Sequence, residues 1–584
     1  MVCSVYPVGH YNNHLLSDGS LVYHVNHRFP DVLTSFDDAR HLTLWANHVQ
    51  PFGCAVVNPD SSEVILARDH LGLVPLYYCH HQGKHLIFGE SIPAILAQLP
   101  STPKLLEHQI DMLFSETKHY SDETLYQGIY RVEPGHLMHF KADGSVVKKA
   151  FWQLEPHGAV LHYDNDQDYL DHFTQLMTEA IHHATDHHSN IAAEFSAGLD
   201  SSAVYCAAAN INIKPMLYMH VASPGTKAAE VYNASYENAF IEQYQLTGIQ
   251  KIGADGFDPL AVFREHAALF AGPAPYLFFM FANRVHRAVE AGRHPILLSG
   301  FGGDQGVSGQ IPLNFCMPQL IHQGQYRQAL RELRRIKGIK KYLHFAKFMH
   351  PELYDAAMKM NVLKRQLKNS FRSKAAKESC LIHPYQRDYY SSVREGEWSL
   401  LQGPNSHEVR MRIEYSSLVS KTMGFEYRYP LLYPKLLEFI VSLPLNQKRR
   451  EGCDRYLIRQ YLSQFLPKEV FGAYRKKEGL GIVSSTFDFF QKNFEQGCYQ
   501  EEFKDIPYSQ LVRHSEPSIF LRNNIKGYML KQEFRQQDMQ NDTLHLPCEK
   551  RIWHAPKLEP LGLEDIEGGS LILQENTNGL PSAS

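Results

Sequence analysis

Hydrophobic positions recur along the chain in two rhythms, and the change falls near residue 160. Up to about residue 155 they come in short runs, Phe52 to Val57, Val64 to Ala67 and His85 to Phe88, separated by turn residues. That pattern predicts a β-rich, mainly antiparallel domain. After a loop around 155–166, apolar residues at Tyr169, Phe173, Leu176, Met177, Ala180 and Ala184 follow helical spacing. The helix leads into short apolar runs at Ile191 to Phe195, Met216 to Val221 and Ile296 to Leu298, with helical segments near 237–245 and 277–290 between them. Strands alternating with helices predict a parallel sheet with right-handed crossovers, an α/β domain behind the β-rich one. From about 310 the pattern is helical. From about 535 the chain turns polar and irregular, which predicts a flexible acidic tail over 535–584.

Length and composition narrow this picture. At roughly 100 to 200 residues per domain, 584 residues allow about three or four domains. The longest apolar run, Tyr276 to Ala282, is far shorter than the roughly 20 residues that cross a bilayer, so no membrane span is expected. The N-terminal MVCSVYPVGHYNN has neither a basic stretch nor a long apolar one, which argues against a secretory signal. Nine Cys without a CxxC read as reduced thiols in a cytoplasmic protein. A net charge of −4 gives no global attraction for nucleic acid or membrane. It is a cancellation, because residues 321–380 carry 15 Lys or Arg against four Asp or Glu, a surplus of +11. Two readings of that stretch stay open: solvated helix faces, or a docking surface for an acidic partner or peptide. The 33 His suggest no site. His182, His183, His187 and His188 crowd one helix end, but without a third ligand or HExxH they read as exposed helix surface. His80 and His81 are expected in a hairpin turn, and Cys206 in the core.

The segment IAAEFSAGLDSSAVYCAA, Ile191 to Ala208, carries the chemistry. A strand ends, a loop of small residues follows, and a helix is expected to begin near Ser201. Ser196, Ala197 and Gly198 let backbone N–H groups approach an anion, and the helix N-terminus adds partial positive charge. The segment reads as a phosphate cradle without the Lys of a GxxxxGK[ST] loop. Asp200 repels a bare phosphate but holds one through Mg²⁺, which takes carboxylate and phosphate oxygens together.

SAGLDSS resembles the SGGxDS loop of the ATP pyrophosphatases, with Ala197 for the second Gly implying a slightly tighter loop. LLSGFGGDQGVSG, Leu297 to Gly309, resembles the second loop of the asparagine synthetase family, with Gln305 for the usual Glu and Phe301 for Glu or Tyr. Phe301 neither takes nor gives a proton, so any role of that Glu or Tyr is absent or moved. GFEYRYPLL matches the family's ExRxPxLD at Glu426, Arg428 and Pro430, with Tyr433 for the Asp. DRYLIRQYLSQFLPKEVFGAYRKKEG resembles its terminal helix and RxK loop. ARDHLGLVPLYY, HLIFGESIPAIL and ETLYQGIYRVEPGH look like its N-terminal glutamine-amidotransferase domain.

The resemblance implies an Ntn-type αββα sandwich over 1–155, then an adenylating parallel-sheet domain of the adenine-nucleotide α-hydrolase-like (HUP) kind over 165–534, with a helical C-terminal part. The basic helical insertion occupies about 310–405. ATP and its pyrophosphate are then expected at Ser196, Gly198, Leu199, Asp200, Ser201, Ser202, Ser299, Gly300, Gly302 and Gly303. Mg²⁺ is expected on Asp200 and Asp304, and Lys477 and Glu426 are expected to be catalytic. The amidotransferase nucleophile of this family is Cys at position 2; here Val2 precedes Cys3 and no NGEIYN-like stretch follows, so that half is expected to be a silent scaffold. Relatives that lost the glutaminase include β-lactam synthetase and the lasso-peptide macrolactam cyclases, and GFGGDQGVSG with the basic insertion looks more like the latter. The implied activity is AMP-forming amide ligation of an Asp or Glu side chain on a peptide or small amino-acid-derived substrate, guided by an acidic leader peptide or its carrier protein. Glutamine-dependent asparagine synthesis and a silent nucleotide-binding protein are the alternatives. The tail from Trp553 resembles a lasso leader–core junction with Gly568 at position 1 and Glu575 at position 8, although Ile566 replaces the usual Thr.

Overall fold

The computed structural model describes residues 4–8, 12–24, 33–81, 85–109, 121–221, 235–246, 249–253, 259–272, 278–307, 313–333, 345, 349 and 392–467. Val2, Cys3, Lys477, most of the basic stretch and the tail therefore lie outside the described residues.

Ten strands form the N-terminal part: β1 (Ser4–Val8), β2 (Asn12–Leu15), β3 (Leu21–His24), β4 (Gly53–Asn58), β5 (Glu63–Arg68), β6 (Tyr77–His81), β7 (His85–Gly89), β8 (Ile129–Arg131), β9 (His136–Phe140) and β10 (Val146–Ala150). They make a four-stranded sheet, β1-β7-β6-β8, and a six-stranded sheet, β10-β9-β5-β4-β3-β2. All pairs are antiparallel except β1 with β7. Strand alternation explains why two sheets stack. Ala55, Val57, Val64 and Leu66 face Leu86 and Phe88 of the other sheet, while Cys54, Val56, Ile65 and Ala67 face the opposite way and share a core with Trp45. Trp45 comes from α1 (Leu42–Asn47), and α2 (Ile92–Leu96) covers the other outer face by burying Ile92 and Ile95 against Tyr77, Cys79 and Ile87. The layers thus run helix, sheet, sheet, helix. His80 and His81 end β6 rather than forming the turn, with His81 paired to His85.

The long helix α3 (Asp166–Thr185) begins where the Asn165 side chain accepts the Asp168 N–H at 3.0 Å. After it comes a third sheet, of β11 (Ile191–Glu194), β12 (Met216–His220), β13 (Gln250–Ile252), β14 (Ile296–Leu298) and β15 (Glu426–Arg428). Its order is β13-β12-β11-β14-β15, and every pair is parallel. Between and after these strands come α4 (Leu199–Asn210), α5 (Ser235–Tyr244), α6 (Pro259–Phe270), α7 (Phe278–Ala291), α8 (Leu313–His322), α9 (Tyr326–Glu332), α10 (Val393–Leu401), α11 (His407–Thr422), α12 (Pro434–Ser442), α13 (Leu445–Lys448) and α14 (Tyr456–Leu462). The chain builds outward from β11 to β13, then returns to place β14 on its other side. The strand order therefore switches between β11 and β14, and open parallel sheets bind ligands at the carboxyl ends of such strands.

Helix α11 forms the seam between the two halves. Its Glu414 is buried, and its two oxygens share the Nε–H of Arg131 at 2.9 and 3.1 Å, with Arg68 at 3.9 Å. Burial pushes the Glu414 carboxyl up, but Arg131 and Arg68 outweigh it and hold it below its ordinary value. Trp152 Nε1 donates to Glu438 at 2.6 Å and Leu154 N to Gln402 at 2.7 Å beside it. Glu414→Ala leaves the buried Arg68 and the partly buried Arg131 without their carboxylate, so a loss of about 3–5 kcal/mol is expected. A thermal melt that matches the wild type would refute this seam as a stabilising contact.

Candidate active site

Two loops leave adjacent strands at the switch point. The first runs from Phe195 to Gly198, and α4 starts at Leu199 with Gly198 as its cap, two residues earlier than the sequence suggested. Ala197 has φ 53°, a left-handed backbone that favours glycine, so the missing Gly shows as a strained residue rather than a tighter loop. Ser196 is exposed at the tip, and its N–H and hydroxyl lie 3.2 and 3.1 Å from Ser201 Oγ, which itself reaches Gly198 O at 3.3 Å. Ser202 N closes the first turn on Gly198 O at 3.0 Å, and Leu199 and Ser202 are buried beneath.

The second loop, Ser299 to Gly303, passes directly over this turn. A Cβ on Gly300 would lie 2.6 Å from Ser201 N, and one on Gly303 would fall on the Asp200 carboxyl group. Gly302, at φ 96°, lies against Leu432. These glycines are what lets two backbones meet. The chain then widens into a single π-helical turn, Gly303–Val307, that carries Asp304. Asp200 and Asp304 converge on one cation, Arg455, whose Nη1 is 3.5 Å from Asp200 Oδ2 and whose Nη2 pairs with Asp304. Arg455 is 4% exposed and precedes α14 in a left-handed conformation, φ 58°. Two hard oxygen donors aimed at the same positive charge also suit Mg²⁺.

A second polar group stands behind the loops. Ser299 Oγ donates to Glu194 at 2.6 Å, Tyr427 OH donates to the other oxygen of Glu194, and Arg412 Nη2 lies 3.8 Å away. Arg412 also caps the Phe301 ring at 4.0 Å, and Phe301 meets Tyr429 edge-on at 5.9 Å. A cation–π stack thus fills the position where the resembled family commonly has Glu or Tyr. Burial pushes the Tyr427 hydroxyl well above its ordinary range, and nearby Glu194 adds to this. Gln305 Oε1 is buried without a hydrogen-bond partner among the described residues. Glu426 starts β15 level with Ile296, is half exposed, and pairs with Arg428, whose carbonyl accepts Ser299 N at 2.9 Å. Lys477 lies outside the described residues.

Sequence reasoning missed Glu194, Arg412 and Arg455. Glu194 and Arg412 left a signal, because a charge within the apolar run IAAEF, or in a helix with no apolar side such as RMRIE, needs a buried partner, whereas Arg455 left none. His183 is half-buried rather than exposed, taking Gln50 at 2.7 Å and stacking on Tyr433. Burial lowers both His70 and His266 to about 4. A histidine that binds its proton less well when folded stabilises the fold above its unfolded value near 6.5 and loses that contribution as pH falls. Chemical denaturation should therefore give a stability that is level above about pH 7 and declines between about pH 6.5 and 4.

A model of the Asparagine synthase family matches residues 172–535, more than half of the chain. The chain belongs to the asparagine synthase family. A Glutamine amidotransferase domain matches residues 47–152, the stacked-sheet half. Among curated proteins, the chain is 26% identical over 187 residues to "Asparagine synthetase [glutamine-hydrolyzing] 3" of Bacillus subtilis, covering 32% of this chain and 28% of that one. It is 26% identical over 154 residues to "Amidase chry2" of Gibberella zeae, 26% of this chain and 22% of the relative. "Amidase chyE" of Penicillium rubens is 28% identical over 142 residues, 24% and 20%. The matches span less than a third of each relative's length. No helix among the described residues is long and apolar enough to cross a membrane.

Proposed function

We propose that this asparagine synthase family member is an ATP-dependent, AMP-forming ligase that makes an amide from a side-chain carboxylate and an amine. The observation that carries the reading is the meeting of two loops from adjacent strands at the switch point, with Asp200 and Asp304 turned to the same cation. ATP would lie across these loops, its phosphates facing Ser196, Gly198, Ser201 and the first N–H groups of α4. Mg²⁺, held by Asp200 and Asp304, would supply charge neutralisation for the departing pyrophosphate. A carboxylate oxygen of the substrate attacks the α-phosphorus, the α–β bridging bond breaks, and acyl-adenylate and pyrophosphate form. The amine nitrogen then attacks the acyl carbon, loses a proton and releases AMP. Arg455 would hold the phosphate chain, and we give Lys477 and Glu426 to the acyl-transfer step because they match the motif residues of the family they resemble.

The substrate we favour is a peptide that supplies its own amine, as in lasso-type macrolactam formation, with an acidic leader bound by the basic stretch at 321–380. Such a leader should bind with an affinity that falls as salt rises, measured by fluorescence anisotropy; salt-independent binding would refute the charged surface. The amidotransferase match over 47–152 favours the second reading, glutamine-fed synthesis of asparagine. Assay of glutamate from glutamine decides between them. The peptide reading predicts none, and glutamate formed in step with AMP overturns it.

A further inference from the structure

Arg455 reaches the two loop carboxylates from the end of a small hairpin, β16 (Arg449–Arg450) paired with β17 (Cys453–Asp454). Its two-residue turn, Glu451 at φ 51° and Gly452 at φ 74°, is left-handed at both positions, the twist that short hairpins need. Strand alternation sends Arg449 and Arg450 to opposite faces. Arg450 forks onto Asp166 of α3 at 2.8 and 2.9 Å and lies over the Tyr456 ring at 4.1 Å. Arg449 Nε donates to Glu332 Oε2 at 2.8 Å, and the same oxygen accepts Gly452 N at 3.0 Å. Glu332 is 3% exposed and ends α9, a helix outside the parallel sheet with its own small core around Cys316, Leu320 and Ala329. One carboxylate oxygen thus holds both a strand and the turn of the hairpin. Arg455 follows that hairpin directly, in a left-handed backbone that is unfavourable for a residue with a side chain. Something outside the residue must hold it there.

We propose that Glu332 is a positioning residue of the nucleotide site: it fixes the hairpin so that Arg455 stays on the Asp200–Asp304 pair, and so ties MgATP affinity to the helical region that carries α9. The proposal rests on the reading of those loops as an ATP site. A buried ion pair serving stability alone is the competing account, and it predicts a lower melting temperature with unchanged affinity in the folded fraction.

A double-mutant cycle on the full chain separates the two. MgATP binding is measured by equilibrium dialysis for the wild type, Glu332→Gln, Arg455→Ala and the double variant, with melting curves alongside. Glu332→Gln should weaken binding about tenfold in the wild-type background and less than twofold once Arg455 is gone, because its effect passes through that guanidinium. Equal weakening in both backgrounds, or none in the first, overturns the proposal. Where Glu332→Gln does not stay folded, Arg449→Lys keeps the charge, loses the guanidinium geometry and is read by the same criterion. Absence of MgATP binding by the folded wild type would overturn the ATP reading itself, a result distinct from loss of the coupling.

Discussion

Asp200→Asn is expected to lower ATP-dependent pyrophosphate release by about 10²–10³-fold, the scale seen when one preorganised electrostatic contact to a reacting group is removed. Asp200 stands in the first turn of α4, at the one place where the two loops touch, and shares Arg455 with Asp304. Its side chain is only partly buried, and the change from carboxylate to amide keeps its shape, so the melting temperature should hardly move. Removing one of two carboxylates takes away one of the two proposed Mg²⁺ ligands and leaves Arg455 to Asp304 alone. An Asp200→Asn protein that melts normally and still releases pyrophosphate at the wild-type rate would show that the reaction, if any, happens elsewhere.

Gly300→Ala has the second-largest expected effect, and for a different reason. The added Cβ lies 2.6 Å from Ser201 N, a backbone atom within the α4 first turn that cannot move without shifting Asp200 beside it. Overpacking of this kind costs about 1–3 kcal/mol of stability. The same displacement separates Asp200 from Asp304, so MgATP binding should fall at least about tenfold, a difference of about 1.4 kcal/mol. Isothermal titration of MgATP alongside a melting curve reads both quantities. Wild-type affinity in Gly300→Ala would mean that close approach of the two loops is not needed for nucleotide binding.

The sequence carried the apolar strands of the parallel sheet, because a strand buried on both faces shows as a continuous run: IAAEF and ILL appear where expected. It did not reveal β13 and β15, three residues each, which lie at the sheet edges and read as QKI and EYR. Their strand character comes from pairing to β12 and β14 and not from their own side chains. The loops were legible for the same reason that they function, since small residues in a fixed order are needed for close backbone approach. Arg455 and Glu332 were not, because their roles depend on a hairpin and a helix brought together from segments more than 100 residues apart. Phe301 was legible as a departure, but only the fold reveals that Arg412 stacks over it.

The most direct test of the central claim is the identity of the nucleotide product. The purified full chain is incubated with ATP, Mg²⁺ and carboxylate substrates, both aspartate with glutamine or ammonia and peptides pairing an N-terminal amine with an internal Asp or Glu, and the products are separated by anion exchange. The account predicts AMP and pyrophosphate in equal amounts with at least one of these substrates. ADP with phosphate, or intact ATP with every substrate, would contradict it.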